Sequence, residues 1–398
     1  MFRIQPDLRF PRFKEPWKKI VLGDISKRPM YGVGASAVEF NNKDVYVRIT
    51  DIEDKSRKLM SRNFTSPSIV NEKYLLKDKD ILFARTGAST GKTYIHENYE
   101  LKYDYYFAGF LIKFEILKSY YPDFIYQYTL TNSYENWVKV MSVRSGQPGI
   151  NSEEYSKLKL NIPRYEEQKK IGDFFSKLDR QIELEEQKLA KLEEQKKGYM
   201  QKLFSQELRF KTKDNVYYSE WQLHKLGEIF KYSQGKQISV DKQFSVKSNE
   251  MKRFIRIVDI TENPEPRFVL YESDTGLVNK EDLFMIRYGR PGIVSIGFEG
   301  IIANNLFKLI PKIKISTVYF YYLLSYNYYR INLLTNQSTM PALNFKSLDS
   351  LKFKIPSYKE QNKIGNFFTK FDELIEKQNK KIDGLKERKK GLLQKMFV

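Results

Sequence analysis

Between Ile171 and Leu203 apolar side chains recur at alternating spacings of four and three. They run Ile171, Phe175, Leu178, Ile182, Leu189, Leu192, Tyr199 and Leu203, with Glu185 and Lys196 filling two slots of the series. A second stretch has the same rhythm: Ile364, Phe368, Phe371, Ile375, Ile382, Leu385, Leu392 and Met396, with Gln378 and Lys389 in the matching slots. This period predicts two long helices, each with a coiled-coil seam about 50 Å long at ~1.5 Å per residue. Pro163 and Pro356 suit a boundary just ahead of each first turn, and Glu166, Glu167 and Glu360 favour a helix N-terminus. The shared polar slots predict that the two helices face each other antiparallel. That pairing sets Glu185 near Lys389, Lys196 near Gln378, Leu189 by Leu385 and Leu192 by Ile382. The competing reading has each helix merely covering its own core.

Outside these stretches the pattern changes. Runs such as "DVYVRI", "ILFAR", "GFLIKFEI", "FMIRYG", "GIVSIGF" and "LFKLI" are short, β-rich and separated by Gly, Asn and Asp. "YYPDFIYQYTLTNSYENWVKV" and "STVYFYYLLSYNYYRINLL" read as aromatic-rich helices. The chain is also written twice. Residues 162–204 and 355–397 align without a gap at an offset of 193 and are identical at 23 of 43 positions. "SGQPGIN" matches "STMPALN", "VRITDI" echoes "IRIVDI", "DLRF" answers "ELRF", and Trp17 and Trp221 precede "LGDI" and "LGEI". The expected fold is α+β: mixed α/β globular domains over 1–161 and 205–354, and helices over 162–204 and 355–398. The helices would form an antiparallel intramolecular coiled coil in a pseudo-twofold molecule.

Composition narrows the function. The net charge is +20, which suggests a polyanionic partner. The helical segments account for +6 of it, so +14 lies in the globular parts. With no cysteine, disulfides and thiol chemistry are excluded, and with two histidines a multi-histidine metal site is improbable. No metal and no cofactor of its own is expected. No apolar run approaches the ~20 residues of a membrane span, and the N-terminus lacks an apolar signal core; a cytoplasmic protein is expected.

One stretch, "ARTGASTGKT" from Ala84, resembles a phosphate-binding loop. Its glycines Gly87 and Gly91 enclose three residues where a Walker loop has four. The matching "RYGRPG" has no Lys-Ser/Thr, so NTP hydrolysis is not expected. Both stretches place an Arg two residues before a Gly in a turn after a strand. The turn is either structural or a backbone turn near phosphates, with Arg85, Lys92, Arg287 and Arg290 supplying charge. Pro122-Asp123 and Glu167-Gln168-Lys169 superficially match a nuclease arrangement, but the Glu and Lys begin a predicted helix. Neither a methyltransferase motif nor a catalytic constellation stands out.

Taken together, the tandem "P-x-Y-x-EQ-x-KIG-x-FF-x-K-x-D" helices, each with "SGQPGIN" or "STMPALN" upstream, resemble the specificity subunits of type I restriction–modification systems, over the whole chain. The resemblance implies a non-catalytic DNA reader: each variable domain reads one half of a bipartite, asymmetric double-stranded site. The paired helices set the spacer and dock two modification (methyltransferase) subunits. S-adenosylmethionine would belong to those subunits, and the ATP-driven motor with its Mg to separate restriction subunits. The family supplies no map of base-reading residues. Candidates from Gly/Pro-containing turns are Arg85, Ser89, Thr90, Lys92, Arg144 and Gln147 in the first domain. In the second they are Arg287, Arg290, Asn336, Gln337 and Ser338. An ordinary surface loop is an equal alternative for each, and the rival for the whole chain is a coiled-coil adaptor with basic nucleic-acid-binding heads.

Overall fold

A computed structural model of the chain describes residues 5–60, 63–97, 102–143, 146–262, 264–273, 275–335 and 341–398. It divides into two compact units. One comprises Met1–Glu186 with Lys380–Val398, the other Gln187–Asn379. Each unit therefore contains one globular part, the start of the helix that follows it, and the end of the other long helix.

The globular parts are mixed α/β and share a plan. In the first, the antiparallel order is Met30–Tyr31, Leu111–Phe114, Ile81–Ala84, Thr93–Ile95. In the second it is Phe230–Gln234, Leu306–Pro311, Leu283–Ile286, Val294–Ser295. Ile81–Ala84 and Leu283–Ile286 are buried along their whole length. Such strands read as unbroken apolar runs instead of alternating ones. Beside each sheet lies a parallel pair, Asp44–Val47 with Asp104–Phe107 and Met251–Ile255 with Gly300–Ile302. Each predicted aromatic helix is split in two: Pro122–Tyr128 and Asn132–Met141, Thr317–Tyr326 and Tyr328–Asn332. The first break falls where the Thr131 hydroxyl turns back to accept from the Tyr134 N–H and so caps a new helix.

The long helices run Tyr165–Phe204 and Tyr358–Met396, and the structure explains their motif. Glu167 is buried and takes a two-pronged ion pair from Arg9 of "DLRF", both contacts at 2.7 Å. Glu360 likewise accepts from Arg209 of "ELRF" at 3.2 Å. Gln168 accepts from the Tyr121 N–H and donates to the Pro163 carbonyl, and Gln361 does the same with Ser316 and Pro356. Both amides thereby tie a helix start to its globular part. Gly172 is required by closeness: a Cβ there would stand 2.7 Å from the Tyr121 ring. The nuclease-like pattern dissolves here, since Glu167 is committed to Arg9 while Asp123 holds Lys79 at 2.8 Å and Ser176 at 3.0 Å.

Within each unit the two helical segments run antiparallel, but the expected register is corrected. Lys389 pairs with Asp179 at 2.6 Å, not with Glu185, which takes Lys381 at 2.7 Å. In the other unit Lys196 pairs with Asp372 at 2.5 Å, not with Gln378. Both lysines sit six residues from the expected partner. A 4-3 apolar repeat is self-similar under a slide of one heptad, so it fixes the buried face and leaves register to polar contacts. The aspartates prevail because each also accepts from its globular part: Gln127 Nε2 to Asp179 at 2.9 Å, the Tyr322 hydroxyl to Asp372 at 2.5 Å.

Of the seam residues, Ile171, Phe175, Leu178, Ile182, Leu203, Ile364, Phe368, Ile382 and Met396 are buried. Leu189, Leu192, Phe371, Ile375, Leu385 and Leu392 are half-buried. Several of the buried ones serve the globular cores directly. Ile171, Phe175, Leu393, Met396 and Phe397 join Trp17, Phe114 and Phe124 in one core. Leu203, Ile364 and Phe368 join Trp221, Phe307 and Tyr319 in the other. Both sequence readings of the helices thus hold in part: their ends cover cores, and antiparallel segments pair within each unit, but the polar slots meet charged residues off the seam and not each other. At its far end the second helix buries Leu393 more fully than the expected Leu392.

Candidate nucleic-acid interface

After strand Ile81–Ala84 the chain turns through Arg85 to Lys92. A phosphate loop works by offering outward-pointing N–H groups, and here they are used internally. The Gly87 N–H donates to the Pro148 carbonyl at 2.9 Å, Thr90 to Gly87 at 3.0 Å, Gly91 to Ala84 at 3.1 Å and Lys92 to Ser89 at 2.9 Å. Gly91 is held further by the Tyr155 and Tyr134 hydroxyls. Its φ is +87°, and a Cβ there would stand 2.4 Å from Val138, so only glycine fits. Lys92 is corrected as a source of free charge. Its ammonium is buried, bonded to the Ile49 and Ile52 carbonyls, and paired with Asp54 at 2.7 Å. That contact lowers the Asp54 carboxyl below its usual range.

The turn is clasped by the segment singled out independently as "SGQPGIN". Besides Gly87 to Pro148, the Ile150 N–H donates to the Arg85 carbonyl at 2.9 Å and Thr90 Oγ1 reaches Pro148 at 3.2 Å. The Gln147 amide lies against Gly87.

The second unit repeats the clasp. Gly289 donates to Pro341 at 3.2 Å, Leu343 to Arg287 at 2.9 Å and Gly292 to Ile286 at 2.9 Å. Arg85 and Arg287 are therefore equivalent, and so are Pro148 and Pro341. What differs is around them. The Arg85 guanidinium lies over the Tyr31 ring at 4.9 Å. Arg287 donates to Gln234, which occupies the Tyr31 position, at 2.8 Å and stacks on Phe345 at 4.3 Å.

A family model described as the type I restriction modification DNA specificity domain matches residues 14–194 and 218–387, most of the chain and once per unit. The chain belongs to this family. Among the specificity-domain relatives, the MjaVIII type I restriction enzyme specificity subunit of Methanocaldococcus jannaschii is 26% identical over 45% of this chain and 42% of its own length. A second sequence of that organism, provisionally named as the MjaX specificity subunit, is 27% identical over 66% of this chain and 64% of its own. The matches thus span less than two thirds of either relative. The fold is that of the S subunit of M. genitalium, with a TM-score of 0.63 at 17% identity over 99% of both chains. A chain from a type I restriction–modification complex matches with a TM-score of 0.57 at 15% identity over 97% and 99%.

In this specificity-domain chain the structure brings Arg85, Ser89, Thr90 and Gln147 onto one clasped turn and Arg287 and Arg290 onto its counterpart. Gln147 and Arg290 are exposed; Arg85, Ser89, Thr90 and Arg287 are half-buried. Arg144, Asn336, Gln337 and Ser338 lie outside the described residues. Sequence reasoning missed Tyr31, Gln234 and Phe110. The Phe110 carbonyl accepts from the Arg85 N–H at 3.1 Å and its side chain is 62% exposed. Only the repeat alignment of "FAGFL" with "IANNL" could have marked it. Among the described residues no cluster of three or more acidic or histidine side chains is arranged to hold a metal, and no helix is long and apolar enough to cross a membrane.

Proposed function

We propose that this chain is the non-catalytic DNA-recognition subunit of a type I restriction–modification system. Each globular part reads one half of a bipartite, asymmetric double-stranded site through its clasped Arg–Gly turn. The long helices form an antiparallel coiled coil that relates the two parts by a pseudo-twofold axis, sets the spacer and docks two modification subunits. Those subunits bring S-adenosylmethionine; where restriction subunits join the complex, ATP and Mg act in them; the assembly works in the cytoplasm. The observation that carries this reading is the repeated clasp, one backbone framework built twice with an arginine in common and different side chains around it. Two different half-sites call for that arrangement: phosphate and guanine contacts suit the shared arginines, and divergent neighbours supply the differing base contacts.

The test is a methylation map. The chain is co-expressed with a type I modification subunit of the same genome in a methylation-free host, and the DNA is sequenced for N6-methyladenine. A bipartite motif that vanishes without this chain is the expected result. A blank map from a complex shown to assemble would refute the reading.

A further inference from the structure

The two clasped turns are framed by equivalent strand connections. In the first unit the connection between Asp104–Phe107 and Leu111–Phe114 passes through Ala108, Gly109 and Phe110. It is fixed by Gly109 N–H to the Val33 carbonyl and Leu111 N–H to the Ala108 carbonyl, both at 2.9 Å. In the second, Ala303, Asn304 and Asn305 make the same connection, with Leu306 donating to Ala303 at 2.9 Å. The Arg85 N–H bonds the Phe110 carbonyl, and the Arg287 N–H bonds the Asn305 carbonyl at 2.8 Å. Phe110 and Asn305 therefore hold one position of a shared framework, each anchored to the backbone of its unit's common arginine.

The chemistry at that position is opposite in the two units. Phe110 is among the most exposed large apolar side chains in the described chain, yet it stands on a hydrogen-bonded turn. Around it the first unit offers Val33 and Tyr31, where the second offers Lys236 and Gln234. The second unit adds Asn304, exposed, and Asn305, whose Oδ1 is buried without a hydrogen-bond partner among the described residues. In the major groove, apolar contact distinguishes the thymine 5-methyl group, whereas amides read hydrogen-bonding edges. An exposed phenylalanine beside the Arg85 turn, with the exposed amide of Asn304 next to the equivalent position in the twin, matches that division.

We infer that Phe110 is a specificity-determining residue that contacts a thymine 5-methyl group in the half-site of the first unit. The inference rests on the DNA-recognition reading above. It adds a residue, a base and a substituent to it.

The experiment uses the assembled complex with the modification subunit, on duplexes carrying the mapped motif, with each thymine replaced in turn by deoxyuridine. Loss of one methyl contact corresponds to about a fourfold loss of affinity. At one thymine the wild type should weaken by about that factor. Phe110→Ala should be weakened on the thymine duplex and indifferent to uracil at that place, and Phe110→Leu should keep part of the discrimination. Since Phe110 lies on the surface, its replacement leaves the core intact, and complex formation with the modification subunit checks this. A Phe110→Ala variant that still binds the uracil duplex about fourfold more weakly than the thymine duplex, or one that binds like the wild type, would overturn the inference while leaving the mapped motif standing. A blank methylation map would instead remove the reading beneath it.

Discussion

Asp179 and Lys389 offer a measurable account of what fixes helix register. Lys389 is 14% exposed and Asp179 28%, with Nζ to Oδ1 at 2.6 Å and Gln127 on the second carboxylate oxygen at 2.9 Å. Fully exposed pairs couple by roughly 0.2–1 kcal/mol, and breaking fully buried ones costs roughly 3–5 kcal/mol. A pair at these exposures, with its acceptor also held by a neutral donor, should couple by about 1.5 kcal/mol. The twin pair, Lys196 and Asp372, is more open at 23% and 41%, so its coupling should be smaller, about 1 kcal/mol. The assay is a double-mutant cycle on each pair, Asp179→Asn with Lys389→Met and Asp372→Asn with Lys196→Met. Urea unfolding is followed by tryptophan fluorescence; Trp17 and Trp137 report the first unit and Trp221 the second. Coupling below about 0.3 kcal/mol at Asp179–Lys389, the limit of cycle additivity, would refute this account. So would a larger value at the more exposed pair. In the mapped-motif assay, Asp179→Asn should also loosen the preferred spacer.

Three further outcomes are expected. Lys92→Met should cost about 1–3 kcal/mol by leaving buried carbonyls unpaired and leave the salt dependence of DNA binding unchanged, while Arg290→Ala should lower the log–log salt slope by about 1; the reverse pattern would restore Lys92 as a phosphate contact. Burial holds His96 neutral, with its pKa down at about 4, so the unfolded chain takes up a proton below ~6.5 that the folded chain refuses. Stability should therefore fall by up to about 3 kcal/mol between pH 6.5 and 4, and His96→Gln should remove that share of the slope in denaturation series across this range. Gly91→Ala should destabilise by at least about 2 kcal/mol through its positive φ and its approach to Val138, with partial rescue by Val138→Ala in thermal melts.

How much could be read in advance depended on the kind of signal. The long helices were legible nearly to the residue because period, proline and acidic first turns agree. Their register was not, because Asp179 and Asp372 lie off the apolar seam and their second partners, Gln127 and Tyr322, come from distant parts of the chain. The Arg85 and Arg287 turns stood out by glycine and repetition, and so did the segments that clasp them. Nothing in "GKT" announces that Lys92 folds inward, since a lysine next to glycines reads the same whether its ammonium meets water or the Ile52 carbonyl. Phe110 carries no periodic signal either; a lone aromatic in a turn acquires meaning only when the hydrogen bonds of the repeated framework show it to hold the same position as Asn305.

The first core includes Leu393, Met396 and Phe397 alongside Trp17 and Phe124, which has a consequence on the ribosome. Residues 1–186 leave the exit tunnel long before these three, with the whole of 187–379 translated in between, roughly 10–40 seconds at 5–20 residues per second. The second unit, contiguous in sequence, can close its core first. The segment made earliest must wait with an incomplete apolar centre, so it is the one that chaperones should meet.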